Sequence, residues 1–461
     1  MKTGFVNSRS FLEGDHRIDP DLYLSDGAKI RREIHNLPYD LSTVGENAEN
    51  VFYGNIFSRM FVSKPSHGVE YLAASDTVLS DLHTGRYISK IQARGLSYLI
   101  LQKGWILVTC SGTLGNVTYT TKDFAGKLAT HDLIRIIPNN KEVNAGTLYA
   151  FLSSKYGYYQ ITQSQFGGVV KHINESQMSS VLVPVFPESF QTEVDDLVQE
   201  SARLREEAND KLEEAQNKLS IFINVNFNKD NFKTSCVKFK EIMSSLRHRL
   251  DPPALMSDGV YSMKEVVSKF SCKRIGDLKT NIFRPGIFKR VYVENGIPYI
   301  KGSEIFLTDP FRRCVHLSKS RTPFVDEMTL YEGQILITCA GSVGDIKIIT
   351  KEYEENKAIG SQDIIRLEST DPLYTKEYLF TYLRQPFVYD YIQSMKYGSV
   401  IERIEPFHVE SIPVVEPTVE LSEEITKLID QYMDCTYNAY TAENRAIKMV
   451  EEEIEKWNKA N

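Results

Sequence analysis

The sequence predicts an α+β chain of two homologous β-rich domains, each followed by a long helix, with the two helices pairing as an antiparallel coiled coil. Three observations predict it. The chain repeats itself at an offset of roughly 230 residues, far longer than the 20 to 50 residues of a solenoid unit. The repeated blocks are short β-branched runs punctuated by glycine. Each copy then ends at prolines that open onto a long polar stretch with apolar residues at steps of three and four.

The repeat is read block by block. His16-Arg17-Ile18-Asp19-Pro20 returns as His248-Arg249-Leu250-Asp251-Pro252, and Asn55-Ile56-Phe57 as Asn281-Ile282-Phe283. Gly104–Val117 returns as Gly333–Ile346, both carrying Gly-x-Ile-Leu and ending in Gly-x-x-Gly. Asp132–Ile136 answers Asp363–Leu367, and Val181–Pro184 answers Ser411–Val414. The order never changes, which chance does not produce. Two copies of one module point to recognition of a target in two parts.

Strands are expected at 105–109, 117–121, 133–137, 334–338 and 346–349, where Ile, Val and Thr crowd between turn residues. Leu and Tyr at helical spacing predict helices over 147–160 and 376–393. Pro184, Pro187, Pro413 and Pro417 close the domains, because proline stops a strand and presets a helix start. Long helices follow over 189–222 and 421–457, roughly 50 Å each at 1.5 Å per residue. Phe190, Val194, Leu197, Ser201, Leu204, Ala208, Ala215, Leu219 and Phe222 mark one seam. Leu421, Ile425, Leu428 and Tyr432 start the other, which drifts to Ile447 and Trp457. Helices this polar are marginal alone, so they either pair as a rod holding the domains apart or lie flat on their own domains. The expected boundaries are 1–188 and 225–417 for the domains, 189–224 and 418–461 for the helices.

Composition is that of an ordinary globular chain, with 42 % apolar and 25 % charged residues. No stretch has the length of a signal-peptide core or a membrane span, so the expected location is cytoplasmic. The six cysteines form no CxxC pair and are expected as buried thiols. The net charge of −7 is unevenly spread. Residues 190–222 carry nine acids against four bases and residues 418–461 ten against five, which leaves +3 for the rest. The acidity therefore does not exclude nucleic acid as a partner of the domains.

These blocks resemble the specificity (S) subunit of type I restriction-modification systems. The resemblance is carried by the Arg-(Ile/Leu)-Asp-Pro openings at Arg17 and Arg249 and by the paired Gly-x-Ile-Leu blocks. It is also carried by the loops Phe166–Ile173 and Tyr397–Ile404 and by the proline exits into heptad helices, so it spans essentially the whole chain. It implies two target recognition domains, each reading one half of a bipartite, asymmetric site in double-stranded DNA. It implies a coiled coil that sets the gap and docks two DNA-adenine methyltransferase subunits, with a translocase-nuclease restriction subunit joining for cleavage. S-adenosylmethionine, ATP and magnesium would belong to those partners and no cofactor to this chain. Leu197, Leu204, Leu219, Leu428, Tyr432 and Ile447 mark the partner-binding helices.

DNA contact needs phosphate contacts for register and base-edge contacts for sequence. Gly167, Gly168 and Gly398 permit close backbone approach, with Lys171, His172, Ser399 and Arg403 in reach of a phosphate. The alternative is an ordinary tight turn. Gly112–Gly115 and Gly341–Gly344 lack the Gly-Lys-Ser/Thr ending of a phosphate-binding loop and read better as strand turns, with Ser111, Thr113 and Ser342 as possible donors. For base readout the candidates are Arg59, Lys64, His67, Arg86 and Tyr87 in the first domain, and Arg284, Lys289, Arg290, Arg312 and Arg313 in the second. Each has the alternative of a solvated surface cation. Arg17 and Arg249, two residues before Asp, read as structural pairs.

Asn36-Leu37-Pro38-Tyr39 imitates the catalytic tetrapeptide of adenine N6-methyltransferases. It lacks a preceding cofactor-binding βαβ unit and a counterpart in the second half, so a surface turn is the better reading. Three functions stay open at this point: a non-catalytic DNA-reading subunit, a methyltransferase using that tetrapeptide, and a two-domain scaffold for RNA or protein, for instance in another defence complex.

Overall fold

The computed structural model describes residues 26–112, 114–163, 172–225, 237–244 and 248–460. Its contacts divide the chain into two compact units, Met1–Glu206 with Asn438–Asn461, and Glu207–Tyr437. Each unit contains one β-rich domain and one half of each long helix.

The β-rich domains share one topology. In the first, a four-stranded sheet runs in the order Ala48–Phe52, Leu133–Pro138, Ile106–Thr109, Val117–Tyr119, all antiparallel. The second repeats it as Thr280–Phe283, Ile364–Ser369, Ile335–Thr338, Ile346–Ile348. The central strands are buried along their length, which is why they read as unbroken apolar runs. A second sheet orders Phe61–Val62, Tyr87–Ser89, Gly68–Leu72 and Leu128–Ala129, the last pair parallel. Its twin is Tyr292–Val293, Val315–Leu317, Ile297–Ile300 and Ile359–Gly360. A short two-stranded clasp closes each domain, Leu41–Thr43 on Leu182–Pro184 and Cys272–Arg274 on Pro413–Val415.

The Gly-x-x-Gly blocks are hairpin turns. Gly112, Gly115, Gly341 and Gly344 hold φ between +72° and +90°, where a side chain would be strained. Thr109 closes the first turn by accepting Asn116 N–H at 3.0 Å on its hydroxyl, and Thr338 does the same for Asp345 at 3.0 Å. The strand-turn reading of these blocks agrees with this geometry.

The medium helices depart from expectation, because each is two. Ala145–Ser153 and Lys155–Gln163 break at Ser154, whose ψ of 165° is extended. Lys376–Leu383 and Pro386–Met395 break where Pro386 removes a helical donor and Gln385 turns extended. The last helix of each pair crosses an earlier one at a glycine. A Cβ on Gly27 would lie 2.6 Å from the Tyr159 carbonyl oxygen, and one on Gly259 2.2 Å from the Asp390 carbonyl carbon.

The long helices are Glu188–Ile223 and Val419–Ala460. They pair antiparallel within each unit. In the first unit Ser201 Oγ donates to the Ala439 carbonyl at 2.8 Å, and in the second Lys218 reaches Glu424 at 3.0 Å. Both helices also join the domain cores. Val194, Val198, Ala446 and Val450 share a core with Leu148 and Phe151, while Leu212, Leu219, Ile425 and Ile429 share one with Leu379 and Val388. Pairing and packing on a domain are thus realised together. Among the described residues no helix is long and apolar enough to cross a membrane. Cys110 and Cys339 are buried free thiols, whereas Cys272, Cys314 and Cys435 are free but only half-buried, short of the burial expected for them.

In the first unit's second sheet, Glu70 pairs with Lys127 and lies 3.7 Å from His83. Burial pushes its carboxyl up, but His83 and Lys127 outweigh that and bring it down to about 2. A depressed folded pKa stabilises fully above the unfolded value of 4.5 and is lost as pH falls toward 2. Urea midpoints should therefore fall through that window in the native chain and less steeply in Glu70→Gln. Superimposable pH profiles would remove Glu70 as the cause.

Candidate nucleic-acid interface

In each domain the hairpin turn is joined by the segment carrying the repeated glycine loop. Ile173 N–H donates to the Cys110 carbonyl at 3.2 Å, and Ser111 bridges His172. Ile404 N–H donates to the Cys339 carbonyl at 3.0 Å, and Ala340 bridges Arg403. The second loop is itself a small hairpin, closed by reciprocal backbone bonds between Tyr397 and Arg403 at 3.1 and 2.9 Å. Gly398 takes φ +110° at its start, and Ser399 and Val400 are exposed at its tip. Lys396 and Glu402 pair across its neck. Among the described residues the Arg403 side chain has no ion pair. Gly167, Gly168, Lys171 and Thr113 lie outside the described residues, as does the Arg17 motif.

Arginines gather beside this loop in the second domain. Arg284 Nη2 lies 3.5 Å from Glu405 Oε2, and its Nη1 lies 4.0 Å from Cys339 Sγ. Arg290 Nη2 lies 3.7 Å from Asp363 Oδ2, and its guanidinium sits 5.5 Å above the buried Tyr299 ring. Tyr397 Oη donates to Glu405 Oε1 at 2.8 Å, which ties the glycine loop to the Arg284 partner.

The first domain builds a related device at the equivalent tyrosine, Tyr71. Arg59 lies 5.6 Å from that ring and its Nε donates to Tyr71 Oη at 2.6 Å. Arg86 lies 6.0 Å from the same ring and pairs with Asp76. An arginine beside an aromatic ring gains roughly 0.5–1 kcal/mol, and Arg59 also spends its Nη2 on Thr130 Oγ1 at 3.4 Å. Lys64 and Lys289 are exposed without a partner among the described residues.

Two of the expected contacts have structural tasks, and the reading of Arg249 as a structural pair agrees with the geometry. Arg312 is held by Asp309, its Nε at 3.2 Å and its N–H at 3.0 Å from that carboxylate, so it fixes its own turn. That turn, which carries the exposed Arg313, packs through Phe311 on Tyr353 at 5.3 Å. Leu204, Leu219, Leu428, Tyr432 and Ile447 are buried in their own units and Leu197 half so, which leaves other residues of these helices exposed. Arg249 pairs with Asp251, as its spacing implies, and caps the Pro386–Met395 helix by donating to the Met395 carbonyl at 3.1 Å.

Sequence reading missed Tyr71, Tyr299, Asp363 and Glu405. The tyrosines had a usable signal, since Tyr71-Leu72 and Tyr299-Ile300 sit in equivalent strands. The tetrapeptide tyrosine has a structural task. Tyr39 packs on Phe186 and Trp457, and its hydroxyl bonds Glu453 and receives the Trp457 Nε1–H at 2.9 Å. Burial and Glu453 push that hydroxyl up to about 12.

Comparison with known proteins bears on the family. No curated protein matches the sequence. Among solved structures, the type I restriction-modification S subunit from M. genitalium aligns at 13 % identity over 90 % of this chain and 96 % of its own, with a TM-score of 0.38. The HsdS subunit from Thermoanaerobacter tengcongensis aligns at 14 % identity over 91 % and 97 %, with a TM-score of 0.27. The sequence model of the type I restriction modification DNA specificity domain matches residues 55–214 and again 268–449, once in each repeat. Those two matches cover most of the 461 residues, and the chain belongs to the type I restriction modification DNA specificity domain family.

Proposed function

We propose that this chain is the non-catalytic, sequence-reading subunit of a type I restriction-modification complex, acting in the cytoplasm. Each domain reads one half of a bipartite, asymmetric site in double-stranded DNA. The paired helices set the distance between half-sites and dock two DNA-adenine methyltransferase subunits, and a translocase-nuclease restriction subunit completes the complex. S-adenosylmethionine, ATP and magnesium are used by those partners.

One observation carries the reading. Both domains set arginines over a buried tyrosine in equivalent strands, Arg59 and Arg86 at Tyr71 and Arg290 at Tyr299. A guanidinium at the same strand of each domain gives both domains a cation for a polyanion. Affinity for random duplex should fall linearly in log–log salt plots, by roughly 0.9 log unit per phosphate neutralised. Replacing Arg284 and Arg290 together by Ala should flatten that slope or erase sequence preference. Co-expression with a cognate methyltransferase subunit, followed by mapping of methylated adenines, should return a motif in two parts with a fixed gap. A continuous motif, or salt-independent binding, would overturn the reading in favour of a scaffold.

A further inference from the structure

Arg366 and Arg284 show what an arginine does when it is purely structural and when it is not. Arg366 is fully buried and spends its Nη donors on three main-chain carbonyls at 2.6–3.0 Å. Arg284 is also largely covered, its side chain 18 % exposed, yet its guanidinium meets only the carboxylate at 3.5 Å and the thiol at 4.0 Å. Arg290 repeats the pattern, with its Nη2 3.7 Å from one carboxylate and a ring beneath, and, among the described residues, no main-chain carbonyl taken by its Nη donors. Both guanidiniums are aimed but unsaturated. A planar fork of donors in that state suits a bidentate acceptor brought from outside.

The Glu405 carboxylate is itself anchored, and Asp363 is anchored through its backbone. Glu405 receives Tyr397 Oη at 2.8 Å, and its own N–H donates to His408 Nδ1 at 3.0 Å. The His408 ring stacks on Tyr397 with centroids 5.6 Å apart. Asp363 sits in the turn from Gly360 to Ile364 whose carbonyls Arg366 gathers, and its carbonyl accepts Cys339 N–H at 3.3 Å. Glu405 is thus a fixed post, whereas Asp363 is held through its backbone with its side chain 47 % exposed, and each guanidinium keeps Nη donors to spare.

We infer that Glu405 and Asp363 are positioning residues that orient Arg284 and Arg290 toward the O6 and N7 acceptors of guanine in the second half-site. The inference rests on the DNA-reading function proposed above and adds a base to it. Guanine is the base whose major-groove edge offers two adjacent acceptors to one guanidinium. A loosely held arginine would also accept a phosphate, which carries no sequence information. The carboxylate restricts it to one direction and discourages phosphate by its own charge.

The test uses the full chain, a random duplex pool, and sequencing of the bound fraction. The native chain should enrich a motif with a guanine at which Arg284→Ala loses preference. Glu405→Gln should lose about tenfold of that preference, the size expected of a bidentate pair, while affinity for random duplex holds or rises as a negative charge is removed. Glu405→Asp should retain most of it, and Asp363→Asn should act likewise at the position sensitive to Arg290→Ala. Replacing the guanine by 7-deazaguanine should remove the native preference. Unchanged preference in both acid variants would overturn the inference while leaving the DNA reading intact, as would a uniform loss across all sequences. A native chain that enriches nothing overturns both. Because Asp363 and Glu405 lie on different segments, misfolding of one variant does not decide the matter.

Discussion

Arg366→Met is expected to destabilise the protein by about 3 kcal/mol, although a buried cation with no carboxylate partner looks expendable. The guanidinium is fully buried and takes the Ser361, Ile364 and Gly360 carbonyls at 3.0, 2.6 and 2.9 Å. Arg135 does the same for Leu133, Ala129 and Thr130 at 2.9–3.0 Å. Burial pushes both guanidiniums down to about 10, so they stay charged at neutral pH. Two terms compete when methionine replaces the arginine. Removing a desolvated charge is worth several kcal/mol to the folded state. Against it stand three buried carbonyls left without donors, at about 1–3 kcal/mol each. The carbonyls win because they lie in one tight turn with no other donor at hand. Lysine should rescue little, since its single ammonium cannot span three acceptors in a plane. Urea unfolding would measure the loss. A midpoint within about 0.2 M of native would refute this account, given slopes of about 1–3 kcal/mol/M. The same clasped turn holds Asp363, so the variant should also loosen Arg290.

That residue pair shows what the sequence did and did not make legible. The apolar strands were visible because Ile335–Thr338 and Ile364–Ser369 are buried along most of their length and carry β-branched runs. The long helices were visible to within a few residues from the seam alone. The second sheets were not, since Phe61–Val62 and Tyr292–Val293 have two residues each and face solvent. Arg366 drew no separate reading, although its place in the repeated apolar block Asp363–Leu367 is the local sign of its burial. The site was half legible. Arg284 and Arg290 stood out by flanking a glycine-proline loop, but Glu405 lies more than a hundred residues from Arg284 and only the fold brings them together. The Pro386 break was readable and overlooked, as was the triplet Ser-Asp-Gly at 25–27 and 257–259.

The second copy of that triplet carries the other large effect. Gly259→Val is expected to cost about 3 kcal/mol and to weaken DNA reading by the second domain. Gly259 lies in the helix Asp258–Lys269, where an isolated helix would gain up to about 1 kcal/mol from losing glycine. The crossing reverses that sign. A Cβ there would sit 2.2 Å from the Asp390 carbonyl carbon and 2.4 Å from Tyr391 N, and backbone cannot swing aside as a side chain can. The helix Pro386–Met395 must back away, and it leads directly into the Tyr397–Arg403 hairpin. Its C-terminus is also where Arg249 donates to the Met395 carbonyl, so the shift strains a second contact. Gly302→Ala is the control, because a Cβ there meets nothing within 4 Å. The valine variant should melt several degrees below native, at about 2–4 °C per kcal/mol for a unit of this size. It should also lose preference at second-half-site bases before it loses affinity for random duplex. Equal melting of the valine variant and the control would mean that the two helices cross with more room than the glycine implies.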